Sequence, residues 1–374
     1  MSVEPRSEAI RVRRIGVVME PNPADAREAE GVCNPGAARG PDGELYLFPR
    51  LVARGNSSRI GIARVCFNGD GDPTGVERLG IALEPEEPYE RVTSEIGGCE
   101  DPRVTYLPAL EHYVMTYTAL GPKGPRIALA TSHDLFAWER LGPAWFTQPV
   151  SGVDFNGVAD KDAVFFPSAI ADASGSPSIG LVHRPLFPHA TPEEAALQPT
   201  PRRLDLDHES MWISYCSLEA AKCNKHLLCH FTSHHRLAAP VSAWERLKIG
   251  AGTPPIATEY GYVMLYHGVS GPISDEVRTM TYAAGLMVVD RNDPRDIRYR
   301  SSDPILEPEL PEEMRGAVDR VVFPTGADVR SDLGVPRRLD VYYGMADYRI
   351  GVARLDLPEL LPAGAPAVRP DHCV

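Results

Sequence analysis

Long apolar runs are missing from this sequence. No stretch approaches the roughly 20 consecutive apolar residues needed to span a bilayer. The opening MSVEPRSEAIRVRR carries no apolar h-region, so neither a membrane helix nor a secretory leader is expected. Cysteine is scarce and odd in number: there are seven, dispersed without framework spacing, which reads as reduced thiols in a cytoplasmic protein. Positive charge is in the minority, with 38 Lys and Arg against 51 Asp and Glu and a formal net charge of −13. That balance speaks against nucleic acid or a membrane surface as partner. An anion such as phosphate can be held only where cations are gathered locally. Also absent are a GxSxG elbow, a P-loop lysine string and a GxGxxG after a strand, so serine-hydrolase, nucleotide and dinucleotide readings lose their usual support.

Proline and glycine, by contrast, are abundant, with 36 and 32 residues spread along the 374-residue chain. That favours many short strands joined by turns over long helices, and large all-β folds often run this long as one domain. The chain also repeats. Arg59-Ile-Gly-Ile-Ala63, Arg126-Ile-Ala-Leu-Ala130 and Arg349-Ile-Gly-Val-Ala353 are nearly one strand, and Met211–Tyr215 and Tyr282–Leu286 fit the same slot. Each follows a strongly β-prone segment: LYLFP, YVMTYTA, GLVHRP, VMLYHGV and VYYGMAD. Trp-Glu-Arg-Leu occurs twice, at 138–141 and 244–247. Five such units predict a five-bladed β-propeller over residues 1–374. The third unit is lengthened by a Pro- and Glu-rich surface insertion around 186–210, followed by a His- and Cys-rich one around 217–241.

In a propeller, equivalent strand ends converge on one mouth of the central channel, so equivalent repeat positions predict one pocket. The innermost strands are expected to begin near Asn34, Asp101, Lys161, Thr253 and Asp328, and the second strands to end near Arg50, Tyr117, Arg184, His267 and Asp347. Glu100-Asp101-Pro102-Arg103 supplies the acid candidate. Two adjacent carboxylates hold one proton to higher pH than either alone, and Pro102 restricts Asp101 to an extended conformation. As a bare string, EDPR is more often a solvated turn; its repeat position is what singles it out. Lys161, Arg184 and His267 are potential cations on consecutive units inside otherwise apolar strands. Burying them toward one channel is costly unless an anion or carboxylates compensate, and phosphate is a natural compensator. Cys223, His226, Cys229, His230, His234 and His235 are zinc-type ligands whose spacing matches no usual finger or knuckle. A solvent-facing segment without metal is expected there.

These residues resemble glycoside hydrolase family 130, the β-mannoside phosphorylases and related β-mannosidases. The matching strings run from NPGAA (34–38) and SSRIGIAR (57–64) through GGCEDPRV (97–104), KDAVFFP (161–167), LVHRP (181–185), GTPPI (252–256) and LYHGV (265–269) to FPTGADV (323–329) and VYYGMAD (341–347). The resemblance implies Asp101 as general acid, Lys161, Arg184 and His267 as phosphate ligands, and Asn34, Ser58, Arg59, Asp162 and Asp347 as sugar contacts. It implies inversion: phosphate attacks the anomeric carbon while Asp101 protonates the leaving oxygen through a sugar hydroxyl, giving α-mannose 1-phosphate plus a sugar, reversibly. The partners are then a β-mannoside oligosaccharide and inorganic phosphate, with no metal or organic cofactor and room for a homo-oligomer. Two rivals differ in class: a phosphate-independent β-mannosidase of the same fold, which as an inverting enzyme wants two separated carboxylates, and a non-catalytic sugar-binding propeller.

Overall fold

The computed structural model describes residues 10–93, 96–147, 154–186, 209–271, 280–335, 337–362 and 364. The insertion expected around 186–210 falls almost wholly outside them.

The described chain is almost entirely β. After β1 (Arg11–Met19), the strands fall into five successive antiparallel units, the first two joined into one eight-stranded sheet by parallel pairing of Ser57 and Ser58 with Gly97 and Gly98. The first is β2 (Gly31–Arg39), β3 (Leu45–Ala53), β4 (Ser57–Phe67) and β5 (Pro73–Leu83). The second is β6 (Gly97–Leu107), β7 (His112–Gly121), β8 (Gly124–Ser132) and β9 (Glu139–Pro143). A short β10 (Trp145–Phe146) then leads to the third: β11 (Ala159–Phe165), a two-residue β12 (Ile170–Ala171), β13 (Pro177–Leu186), β14 (Met211–Ser217) and β15 (His230–Ala238). The fourth comprises β16 (Lys248–Ala251), a short β17 (Ile256–Thr258), β18 (Gly261–Ser270), β19 (Thr281–Val289) and β20 (Ile297–Arg300). The fifth is β21 (Val322–Val329), β22 (Arg338–Met345) and β23 (Arg349–Asp356), and its outer place is filled by β1 from the other end of the sequence.

The repeats of the sequence are the strands of these units. The five β-prone segments lie in β3, β7, β13, β18 and β22, and the five Arg-Ile-Gly-like segments in β4, β8, β14, β19 and β23. Their near-continuous apolar composition follows from burial on both faces, since each unit is covered by its neighbours. Apolar clusters join the units in order. Phe48 and Ile60 pack with Met115 and Ala128; Leu129 with Phe165 and Trp212; Val182 and Ile213 with Met264 and Tyr266; Leu265 and Leu286 with Val341 and Leu355; Tyr342 and Ile350 with Val32 and Leu47. The last pairing returns to the first unit. β2 touches both β6 and β21, and β11 touches both β6 and β16.

Candidate active site

The first strands share a local irregularity, and it builds the site. Pairing between β2 and β3 shifts between Cys33 and Gly36, between β6 and β7 across Glu100 to Arg103, and between β11 and β13 across Lys161 to Val164. Inside these three bulges Asn34, Asp101 and Asp162 adopt positive φ, at 46°, 48° and 57°. Asn and Asp tolerate this region best among non-glycine residues, and bulges re-aim side chains beside functional sites. Each residue is at most 4% exposed. β21 carries the corresponding shift between Pro324 and Gly326, which places Thr325, not Asp328, in that slot. Asp328 lies at the far end of β21, paired with Arg39 at 2.6 Å.

Asp101 and Asp162 hold different company. Asn34 Nδ2 donates to Asp101 Oδ1 at 2.9 Å and Arg50 Nη1 to the same oxygen at 3.3 Å. Arg50 also donates to Glu100 Oε1 at 2.8 Å and to the Ser58 hydroxyl at 2.9 Å. Lys161 Nζ stands 3.6 Å from Glu100 Oε2. Asp162 receives Arg184 Nε at 2.6 Å on Oδ2 and Arg103 Nη2 at 3.3 Å on Oδ1, with His267 Nε2 at 3.6 Å from Oδ2. Arg103 ties the halves together, because its Nη1 donates to the Asp101 carbonyl at 3.1 Å. Arg184 also bonds Glu209. Gly250 makes room here: a Cβ on it would stand 2.4 Å from both Asp162 Oδ2 and His267 Cε1.

Electrostatics divides the carboxylates by role. Burial pushes the Asp162 carboxyl up, but Arg184, His267, Arg103 and Lys161 together hold it well below the usual carboxylate range. Asp101 is likewise pulled below its ordinary value, because Arg50, Lys161 and Arg103 outweigh burial. Asp347 goes the other way, pushed up to about 6 by burial and by the neighbouring charge of Asp101, against Arg50 and Lys161. The expectation that Glu100 would raise Asp101 is therefore corrected. Glu100 is engaged by Arg50 and Lys161, and the carboxyl that retains a proton is Asp347. His267 is corrected as a cation: burial pushes its imidazole down to about 3, against the pull of Asp162, so it is neutral at physiological pH. Neither of its ring nitrogens has a hydrogen-bond partner among the described residues.

Of the residues singled out in the sequence, Asn34, Ser58, Asp101, Lys161, Asp162, Arg184 and His267 thus belong to one connected network, and Asp347 is tied to it electrostatically through Asp101, Arg50 and Lys161. Arg59 stands apart, with its Nε donating to Glu84 at 2.8 Å. Arg103, within the EDPR string, and Glu209, at the end of the insertion, join the network and were not singled out; only Arg103 carried a signal, as the residue two places beyond Asp101 on the same strand. The zinc-type residues are divided: Cys223, His226 and His230 are exposed, while Cys229 and His234 are buried. His234 Nδ1 lies 2.8 Å from the Ser214 hydroxyl, which also meets His183 Nε2 at 2.8 Å, and His183 Nδ1 lies 2.7 Å from Asp160 Oδ2. Among the described residues no helix is long and apolar enough to cross a membrane.

Comparison with known proteins accords with this geometry. A family model described as beta-1,4-mannooligosaccharide phosphorylase matches residues 6–179 and 204–363. A 1,2-beta-oligomannan phosphorylase of Thermoanaerobacter sp. (strain X514) is 28% identical over 359 residues, covering 94% of this chain and 99% of that protein. The structure of the beta-1,2-mannobiose phosphorylase of Listeria innocua with beta-1,2-mannobiose superposes with a TM-score of 0.64 at 22% identity, covering 91% of this chain and 94% of that one. Another, from a study reporting that the GH130 mannoside phosphorylases contain hydrolases of beta-1,2 mannosidic linkages in Candida mannan, superposes with a TM-score of 0.67 at 23% identity, covering 97% and 98%. The chain belongs to glycoside hydrolase family 130 and is a β-mannoside phosphorylase of that family.

Proposed function

We propose that the five units are the blades of a five-bladed propeller fastened by β1, and that the central site carries out phosphorolysis of a β-mannosidic bond with inversion. The observation that carries this is the meeting of Arg184, Arg103 and His267 around Asp162, with Lys161 beside Glu100 and near enough to lower the Asp162 pKa, one arginine away from Asp101. Phosphate held by Lys161, Arg184 and the single N–H of neutral His267 is a nucleophile already carrying its charge. Its oxygen forms the new bond to the anomeric carbon as the glycosidic C–O bond breaks, and the freed oxygen takes a proton from Asp101; that carboxyl is ionised at rest and is reloaded by the proton that hydrogen phosphate loses on becoming the ester. The products are α-mannose 1-phosphate and a shortened sugar.

The same network explains two further roles. Asn34, Ser58 and Arg50 set the Asp101 carboxyl and its surroundings in a fixed orientation, the preorganisation on which proton transfer depends. Asp347, holding a proton up to about pH 6, is a neutral donor to a sugar hydroxyl and keeps a second negative charge away from Asp101. In the absence of phosphate Arg184 is neutralised by Asp162 and Glu209, so phosphate competes with Glu209 for that guanidinium. The deciding measurement is a phosphate titration with β-mannobiose, following mannose 1-phosphate against free mannose. Mannose 1-phosphate rising hyperbolically with phosphate is expected; free mannose released at a phosphate-independent rate overturns the reading in favour of hydrolysis.

A further inference from the structure

One slot of the repeat is filled differently in the third unit. Tyr117 on β7, Tyr266 on β18 and Tyr343 on β22 stand where β13 carries His183. The three tyrosine hydroxyls donate to the buried Glu90, Glu245 and Glu313 at 2.7, 2.9 and 2.9 Å. Each of these carboxylates also receives an arginine, Arg140, Arg300 or Arg14. All three glutamates lie ahead of the first strand of their own unit. His183 instead reaches the first strand itself, with its Nδ1 2.7 Å from Asp160 Oδ2. Its Nε2 lies 2.8 Å from the Ser214 hydroxyl, which is also 2.8 Å from His234 Nδ1. These contacts cross β11, β13, β14 and β15 in turn.

The four residues are all buried, and Phe146 and Phe155 enclose both imidazoles with ring centroids 4.9 to 5.5 Å away. Hydrogen bonds strengthen in such surroundings. With neutral imidazoles the hydrogens run in one direction. His183 Nδ1–H donates to Asp160, Ser214 donates to His183 Nε2, and the Ser214 oxygen accepts from His234 Nδ1–H. Burial pushes the His234 imidazole down to about 3, so it stays neutral. Asp160 Oδ1 has no hydrogen-bond partner among the described residues, so His183 is what orients that carboxylate. Asp160 directly precedes Lys161 and His183 directly precedes Arg184, and Lys161 pairs with Arg184 across the two strands. Alternation along a strand turns each neighbour to the opposite face. The chain therefore fastens from behind the strand pair that presents Lys161, Asp162 and Arg184.

We propose that Asp160, His183, Ser214 and His234 are positioning residues for phosphate, their chain holding β11 and β13 so that Lys161, Asp162 and Arg184 meet the anion in a fixed geometry. The inference rests on the assignment of phosphate to that end of the site. Ser214→Ala cuts the chain at its middle and Asp160→Ala at its end. Each should raise KM for phosphate about 10-fold, the size seen when the outer partners of ligating groups are removed. KM for β-mannobiose and kcat at saturating phosphate should stay within about 2-fold. Asp160→Asn keeps an oxygen that accepts from His183, so its phosphate KM should stay near that of the unmutated enzyme. It removes the same charge as Asp160→Ala, so a purely electrostatic role for Asp160 requires the two to behave alike. Tyr343→Phe, which loses the equivalent bond in the fifth unit, should lower the melting temperature and leave the phosphate KM unchanged. Neutron diffraction from the unmutated enzyme, which depends on no variant, should place a hydrogen on Nδ1 of both His183 and His234 and on neither Nε2. A hydrogen on either Nε2, phosphate and mannoside KM values that move together, or like behaviour of Asp160→Asn and Asp160→Ala overturns the positioning role. A phosphate KM indifferent to Arg184→Ala overturns instead the phosphate assignment beneath it.

Discussion

Two carboxylates in equivalent bulges, Asp101 and Asp162, face different surroundings, and the contrast separates their tasks. Asp162 is enclosed by Arg184, Arg103 and His267, and basic groups dominate its acidity. It stays ionised across any working pH and serves as a fixed counter-charge that holds the basic groups together. Asp101 has Asn34 and Arg50 as direct partners and a second acid, Asp347, near enough to raise that group's own pKa. Cations draw Asp101 down as well, but it also interacts with a second acid, and interacting acids titrate as a pair. Identical backbone geometry therefore yields an acid–base end and an anion-binding end, and the side chains on adjacent strands make the difference.

The largest effect expected from breaking this contrast is at the acid. Asp101→Asn should lower kcat by about 10²–10⁴-fold, the range for a lost general acid, with the melting temperature and sugar binding retained. Near-normal turnover would remove Asp101 from the proposed role. Next comes Arg184→Ala, which takes away a buried guanidinium and leaves Asp162 with fewer cations. We expect the apparent KM for phosphate to rise about 10-fold or more, with mannose 1-phosphate consumption slowed and sugar affinity much less affected. Equal losses in phosphate and sugar affinity would show that the two ends are not separable.

Protonation sharpens the comparison. Asp347 has a folded pKa of about 6, above the unfolded value of about 3.9. Its ionisation therefore opposes folding: there is no penalty below about pH 4, and the full penalty once pH passes through 6. Asp347→Asn should leave stability unchanged near pH 4 and raise it at pH 8 by at most about 3 kcal/mol, about 2–4 °C in melting temperature. Thermal melts of the two proteins across that pH window check the sign. A stability gain that is the same at both pH values would mean that Asp347 is not the raised acid. His267 has the opposite slope, because its folded value of about 3 lies below the ordinary imidazole value. Its stabilising burial is complete above about pH 6.5 and is lost as pH falls from there toward 3.

The smallest effect should separate two arginines. Arg50 reaches Asp101, Glu100 and Ser58, whereas Arg59 reaches Glu84 near the surface. Arg59→Ala should change kcat/KM for a β-mannoside no more than about 3-fold, close to the 0–1 kcal/mol of a surface ion pair. Arg50→Ala should cost far more. Comparable losses from both would return Arg59 to the sugar site.

Several of these residues were legible because the repeat aligned them. Asp101, Lys161, Arg184 and His267 each occupy a slot defined by five similar segments, so their convergence followed from the repeat before any coordinates. Arg103 and Glu209 had no such slot. Arg103 reads as one more charge in a polar string, and Glu209 closes a Pro-rich insertion whose return point is invisible in one dimension. Asp328 misses the slot because the strand of the fifth unit already begins at Val322, so its bulge at Pro324 to Gly326 puts Thr325 there instead.

The sequence by itself determined the all-β class, the number of units and most of the side chains that meet at the centre, because periodic strand and turn chemistry repeats within it. Tertiary structure alone decided which carboxyl keeps a proton and whether His267 carries charge. Those outcomes depend on burial and on charges a few ångströms away on other strands. Adjacency in sequence made Glu100 look like the partner of Asp101; proximity in space gave that place to Asp347, more than 240 residues away.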